Sequence, residues 1–176
     1  SIKNMRVMFI PQTSENTVKY EPAQYDSAYN DRSLSTLTRA IALSQGCFSF
    51  ILVHCNSLTL RQQIVDRLQA NSALKPRQLL LSKSATSLYT TIAAETEGEP
   101  PPALMLIGLE SVAEIDRLLL STNLVCSEFS KKFSFPLVFW VTDDILRKII
   151  RTAPDLYNRM PTAIRFISNL EAQDDR

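Results

Sequence analysis

The chain has 176 residues, a net charge of +1 and 45% hydrophobic residues, which suits one domain with a packed core. The balanced charge argues against a general electrostatic affinity for nucleic acid or for an anionic membrane. Only three glycines occur, Gly46, Gly98 and Gly108, and no two lie close in sequence. Their spacing excludes the Walker A loop, the GxGxxG fingerprint and the GxSxG nucleophile elbow, because each motif needs neighbouring glycines.

No apolar stretch approaches the roughly 18 residues of a membrane-spanning helix, and the N-terminus lacks the long apolar region of a signal peptide. The three cysteines, Cys47, Cys55 and Cys126, form no CxxC pair, and we expect them to be buried, reduced thiols. These features together predict a cytoplasmic protein without disulfides.

Residues 1–32 are predicted to form an extended N-terminal arm, because most of this stretch is polar and shows no sustained period. Met5–Ile10 could be a short strand within it. From Ser33 onward the apolar residues follow a helical spacing, which predicts a first helix that ends near Gly46.

Short apolar runs then alternate with helical patterns. The predicted strands are Phe48–Cys55, Gln78–Ser82, Ala103–Leu109, Phe135–Thr142 and Ala163–Ile167. The helices are marked by Leu60 to Ala70, by Leu88 and Ile92, by a capping box at Ser111–Glu114, and by Ile145, Ile149 and Ile150. Between the fourth helix and the last strand, Thr152–Pro161 is predicted to be irregular.

This alternation predicts an α/β three-layer sandwich, in which a mostly parallel sheet of about five strands carries helices on both faces. Residues 33–168 would form this domain, and residues 169–176 would be a flexible tail. We expect Phe139 and Trp140, inside the fourth strand, to belong to the core.

Ligands of open parallel sheets bind at the carboxyl ends of the strands, so a binding site in this fold would use the residues predicted there. If a binding site is retained, its residues would be Asn56, Ser57, Glu110, Thr142 and Asp143. Helix capping is the preferred interpretation, because these positions need caps in any case. The candidate caps are Asn56, Ser57 or Thr59, Ser111, and Thr142 or Asp143.

A nucleotide-hydrolysing enzyme of this layout would need a glycine-rich loop with a lysine after the first strand, and aspartate after the third. The turn His54–Arg61 is too short and has no lysine, and the third strand delivers only Glu110. We therefore predict no catalytic residue, no metal site and no cofactor.

The single histidine, His54, is expected to be structural, because no nucleophile or carboxylate partner is specified by the sequence. Its neighbour Cys55 would face the opposite side of the strand. The adjacent carboxylates Asp143 and Asp144 should point in different directions and make a poor catalytic pair. The basic cluster Arg147, Lys148 and Arg151 is expected to be a solvated face.

Three stretches carry a family resemblance: Arg32–Gly46 with FSFILVHCN, ALMLIGLESV, and FPLVFWVTDDILRKIIRTAPDLY. They resemble the N-terminal domain of cyanobacterial multidomain proteins with C-terminal TPR or WD40 repeats, which look related to the STAND class of signalling P-loop NTPases. The resemblance implies a P-loop NTPase-like sheet with a degenerate Walker A position, a regulatory context, and a sensor-like placement of Thr142, Asp143 and Asp144.

Three functions follow as hypotheses. The first is a non-catalytic protein–protein interaction or regulatory domain of a signalling protein, with a protein partner or self-association and without nucleic acid or membrane contact. The alternative is a switch that binds ATP or GTP through a non-standard phosphate loop, which is possible but not favoured. The third is a small hydrolase that uses His54.

Overall fold

Five parallel strands lie side by side in the order β2-β3-β4-β1-β5 in this computed structural model, which describes residues 27–169 and residue 171. The strands are β1 Ser49–Cys55, β2 Arg77–Leu80, β3 Leu104–Ile107, β4 Pro136–Val141 and β5 Ile164–Phe166. The helices are α1 over 27–43, α2 Leu58–Ala70, α3 Leu88–Glu95, α4 Ile115–Val125, α5 Phe129–Lys132, α6 Asp143–Thr152 and α7 Pro154–Asn158.

Strand β4 enters the sheet between β1 and β3, although it follows both in sequence. Its register with β1 runs from Ser49 opposite Pro136 to His54 opposite Val141. Because all pairings are parallel, the carboxyl ends of β1, β3 and β4 meet at one edge of the sheet. We call this the carboxyl edge.

The two faces of the sheet bury separate apolar clusters, as alternation along β1 illustrates. Phe50 and Leu52 point into a cluster that is completed by α3, α4, α5, α6 and α7. Ile51 and Val53 point into the other cluster, which α1 and α2 complete. The predicted three-layer α/β sandwich is therefore confirmed, with helices on both faces of a parallel sheet.

Trp140 and Phe139 are fully buried on opposite faces, as expected for core residues. The indole of Trp140 stacks on Phe166 of β5, with ring centroids 5.8 Å apart and an interplanar angle of 21°. This contact joins the centre of the sheet to its β5 edge.

The boundary expected between arm and domain requires a correction, because α1 already includes residues 27–32. Asn30 explains why the helix extends so far. Its side chain donates to the carbonyl of Ile167 (2.8 Å) and accepts from the amide of Ile167 (2.9 Å), which fixes the beginning of the described helix against the end of β5. The rest of the predicted arm, including the possible strand Met5–Ile10, lies outside the described residues.

The beginning of the predicted flexible tail is also corrected. Residues 169 and 171 are helical, and Glu171 bonds to the body of the domain. Residues 172–176 lie outside the described part of the chain.

Three further expectations were wrong in detail. Ser111 lies in a short 3-10 turn, Leu109–Ser111, and α4 begins only at Ile115, so Ser111 does not cap that helix. The segment Thr152–Pro161, expected to be irregular, contains α7, which begins with a proline in its first turn. Cys47 is exposed rather than buried, although Cys55 and Cys126 are buried as expected, and all three thiols are free.

Candidate functional site at the carboxyl edge

The turn that joins β1 to α2 consists of only two residues, Asn56 and Ser57. The hydroxyl of Ser57 accepts a hydrogen bond from the amide of Leu60 (3.1 Å), so Ser57 caps α2 and the preferred interpretation is confirmed for this residue. Thr59 lies inside the helix. A two-residue turn is too short to wrap around a phosphate chain, so this position cannot hold a phosphate loop.

Asn56 caps α6 instead of the helix that follows it. Its side-chain oxygen accepts from the amide of Asp143 (2.8 Å), and its side-chain nitrogen donates to the Asp143 carboxylate (2.9 Å). Thr142 supplies the usual cap of the same helix by accepting from the amide of Ile145 (3.4 Å). Three of the predicted site residues, Asn56, Thr142 and Asp143, are thus brought together at the N-terminus of α6.

The Asp143 carboxylate also contacts the buried imidazole of His54 through Nε2. The hydrogen bond from Asn56 holds the pKa of Asp143 below its ordinary value. The charges of His54 and Arg147 also lower this pKa, whereas partial burial of the carboxylate raises it. Asp144 turns away and pairs with Arg147 (2.7 Å), so the two neighbouring carboxylates do have different partners, as expected.

Glu110 is separated from this group and is paired with Arg61 of α2. Both side chains are largely buried, with 19% and 13% of their surface exposed. Gly108 makes this placement possible, because its φ of +96° turns the chain out of β3 and into the 3-10 turn that carries Glu110. A metal-binding enzyme needs an unpaired carboxylate at the end of β3. The carboxylate that this chain places there, Glu110, is instead paired with an arginine.

Cys55 lies on the opposite face of β1 from His54, in the cluster beneath α1 and α2, as the alternation of the strand predicted. Its thiol donates to the carbonyl of Ser57 (3.3 Å). Burial raises the pKa of the Cys55 thiol to about 11, so this group stays protonated at neutral pH. Cys55 and His54 consequently form no nucleophile–base pair.

Sequence reasoning missed four contacts of the site: Arg61 with Glu110, Asn56 with Glu171, Asn56 with Asp143, and His54 with Asp143. The two contacts of Asn56 join residues 115 and 87 positions apart, and no local spacing signals such a contact. The contact of Arg61 with Glu110 could have been predicted, because Arg61 lies one turn into a helix that starts at the same edge of the sheet as Glu110.

A cleft lined by Thr96, Gly98, Lys132 and Phe133, among others, lies at the amino ends of β3 and β4. It is on the side of the sheet away from the carboxyl edge and adds nothing to that site. Within the described residues, no cluster of three or more metal-binding side chains occurs. None of the described helices is both long and apolar enough to cross a membrane.

No protein-family model matches this sequence, and no curated protein does either. Among solved structures, the chain is similar to a chain in the structure of Drosophila ORC bound to poly(dA/dT) DNA and Cdc6. The two chains are 13% identical and superimpose with a TM-score of 0.52 over 93% of this chain and 33% of that one. At this identity the likeness shows the fold alone.

The sheet, its covering helices and this likeness define an α/β protein of P-loop NTPase-like fold. Its first turn, which consists of Asn56 and Ser57, has no Walker A loop. The chain spans about a third of the length of the neighbour's chain.

Proposed function

We propose that this chain is a non-catalytic regulatory domain that binds a protein partner or a second copy of itself, on a fold derived from nucleotide-binding proteins. The observation that carries the proposal is the internal pairing at the carboxyl edge, where Asn56, Asp143 and Glu110 all have partners within the chain. A magnesium–nucleotide complex would have to displace these internal partners, and the hydrogen bonds and ion pairs that hold the edge would be lost.

The environment of His54 supports a structural role over a hydrolytic one. Its ring touches the carboxylate of Asp143, but the hydrogen bonds of the described residues give it no hydroxyl or thiol to activate. The nearest thiol in sequence, Cys55, lies on the other face of β1 and is held in its protonated form. An acid–base pair without a nucleophile is better suited to fixing α6 against β1.

The resemblance to the N-terminal domains of cyanobacterial multidomain proteins supports a regulatory setting. We include in the proposal a STAND-like origin, a signalling role and a cytoplasmic location. Leu43 of α1 and Leu124 of α4 are 80% and 82% exposed on the two helical layers. A protein partner that covered either of them would remove apolar area from water.

Calorimetric titration of the full chain with Mg-ATP and with Mg-GTP tests the proposal, and magnesium chloride alone serves as the control. We expect no saturable heat of binding at millimolar nucleotide, because the edge holds no phosphate loop and its polar groups are already paired. Saturable binding of either nucleotide would establish the alternative, a nucleotide-binding switch with a non-standard loop.

Light-scattering chromatography over a range of concentrations, combined with pull-down, tests the interaction role. We expect self-association that rises with concentration, or a specific partner. A chain that remains strictly monomeric and captures no partner would count against an interaction domain even if nucleotide does not bind.

A further inference from the structure

Strand β2 forms one edge of the sheet, and its outer side has no partner among the described residues. The amides of Arg77 and Leu81 donate to carbonyls of the neighbouring segment that contains β3 (2.8 Å each), so alternate residues face that strand. The intervening residues, Gln78 and Leu80, direct their backbone N–H and C=O groups away from the sheet. In the part of the chain that the structure describes, no strand and no side chain bonds to these groups.

The opposite edge of the sheet, at β5, is closed by α1. The carbonyl of Arg165 accepts from the hydroxyl of Ser33 (2.6 Å). The Asn30 side chain bonds to both the amide (2.9 Å) and the carbonyl (2.8 Å) of Ile167. Such cover is one of the ways in which native proteins prevent unwanted strand pairing, and no described element provides it for β2.

The side chains of β2 divide between the core and the surface. Leu79 and Leu81 point into the cluster that α3 and α4 help to complete. Leu80 points to the other face of the sheet and is 67% exposed. A strand added beside β2 would therefore gain main-chain hydrogen bonds from Gln78 and Leu80 and an apolar contact with the Leu80 side chain.

Cations flank the open edge. The stretch 71–94 contains no aspartate or glutamate, and its charged residues are Lys75, Arg77 and Lys83. Lys75 precedes the strand and Lys83 follows it; both are exposed, and neither has an ion-pair partner among the described residues. Opposite charges on neighbouring strands stabilise their pairing, whereas like charges destabilise it. The edge therefore favours a strand that carries carboxylates.

The carboxylates that lie beside the edge leave Lys83 unpaired. Arg77 holds the loop of Glu95 and Glu99 at the amino end of β2 by donating to their carbonyls (3.3 and 3.4 Å). At the carboxyl end, Glu114 pairs with an arginine of α4 (3.6 Å) rather than with Lys83. The carboxyl end of β2 is thus the more cationic one, and we expect a carboxylate of an added strand to contact Lys83.

We propose that β2 docks an extended acidic peptide of a partner protein, which joins the five-stranded sheet at its edge and places a carboxylate beside Lys83. A second copy of this chain is a poorer occupant, because pairing of two β2 edges would bring cations against cations. The predicted strand Met5–Ile10 likewise contains Arg6 and no carboxylate. The inference rests on the proposed role as an interaction domain and assigns to it a surface and a partner chemistry.

Amide spectra of the full chain, recorded by nuclear magnetic resonance during titration with two synthetic peptides, test this surface. Both peptides consist of alternating valines and threonines; glutamates flank the first, and lysines flank the second. We expect the glutamate peptide to shift the amide signals of Gln78 and Leu80 saturably, with an affinity about tenfold above that of the lysine peptide. Absence of binding, equal affinities, or shifts confined to another surface would overturn the proposal.

Two variants locate the contact. Leu80→Pro removes an outward N–H and leaves the hydrogen bonds to β3 in place, so binding of the glutamate peptide should be lost. Lys83→Glu reverses an exposed charge and decides the matter if Leu80→Pro does not fold; it should reverse the preference between the two peptides. Arg151→Glu is the matched control, because Arg151 is an exposed cation of α6, which packs against β1 and β4. It should leave both affinities unchanged, and unaltered binding by Leu80→Pro and Lys83→Glu would refute the assignment.

The outcomes separate this surface from the interaction role itself. A partner or a self-association that survives Leu80→Pro would leave that role standing and refute docking at β2. Self-association that Leu80→Pro abolishes would identify a second copy as the occupant and overturn the acidic peptide. Amides of Gln78 and Leu80 that are protected from hydrogen exchange in the free monomer would show that the chain itself covers the edge, which would also overturn the proposal.

Discussion

Three asparagines join parts of the chain that are distant in sequence, each through donor and acceptor on one short side chain. Asn30 holds Ile167, Asn56 holds Asp143, and Asn123 holds the start of α7. An amide can satisfy an N–H and an oxygen at once, which suits it to the unpaired groups at strand and helix ends. At the residue scale, asparagine therefore organises the ends of the elements.

Asp143 makes folding stability depend on pH in the acid range. Its pKa in the folded chain lies below the ordinary value of 3.8, so the ionised form stabilises the fold. That contribution is complete above the unfolded pKa and is lost as the pH falls through the folded one. We expect the free energy of unfolding in urea to fall below about pH 4, and to fall more steeply for the wild type than for Asp143→Asn.

Asp144→Asn is the control for this experiment, because Asp144 is exposed and its partner among the described residues is Arg147 of its own helix. Its pH profile should follow that of the wild type. Parallel profiles for Asp143→Asn and the wild type would contradict the assigned role of Asp143.

At the scale of elements, α5 is a helix of four residues and cannot be stable by itself. Phe129, its first residue, is fully buried and explains why the turn forms. Its ring packs within 5.5–6.2 Å, centroid to centroid, of Phe48, Phe50, Tyr89 and Phe133. The element is therefore held by its side chain in the core rather than by its own backbone.

Phe129→Ala should lower the free energy of unfolding by about 3–5 kcal/mol, because the cavity would face four aromatic rings that cannot all close in. Denaturant unfolding followed by circular dichroism measures the change. Ser130→Ala, at the exposed neighbouring position, should alter it by less than about 0.5 kcal/mol. A loss below about 1 kcal/mol for Phe129→Ala would mean that α5 is not anchored through this ring.

At the scale of the whole molecule, burial by the two helical layers should separate the three thiols by reactivity. Cys47 is exposed, whereas Cys55 and Cys126 lie in different cores. Burial and a pKa of about 11 leave almost no Cys55 thiolate at pH 8. We expect a maleimide to modify one site rapidly in the native chain and three sites in denaturant.

The native reaction should disappear in Cys47→Ser. Rapid labelling of Cys55 or Cys126 without denaturant would show that one of the layers opens readily.

The alternation of apolar runs was sufficient to predict the layered fold, since Phe48–Cys55 and Phe135–Thr142 each contain the observed strand. Strand order was not predictable, because the pairing of His54 with Val141 joins positions 87 apart without a local signal. The helical start of α1 was also missed, because residues 27–32 lack an apolar period. Asn30 is held there by Ile167, which is 137 positions away in sequence.

Some capping residues at the carboxyl edge were predictable from the sequence, but the contacts between distant residues were not. Ser57, Thr142 and Asp143 were identified because helices that follow strands need caps. Whether Asn56 would cap α2 or α6 depended on which helix end lies near it in the folded chain. The ion pair of Glu110 with Arg61 depended on the direction that the chain takes after Gly108.

The stacking of the chain's single tryptophan, Trp140, on Phe166 gives the protein a built-in optical probe. The indole is shielded from water in the centre of the sheet, so its fluorescence should be blue-shifted in the folded chain. Because its partner ring belongs to β5, emission from this one fluorophore reports on the integrity of the β5 edge. Detachment of β5 from the sheet should shift the emission to the red.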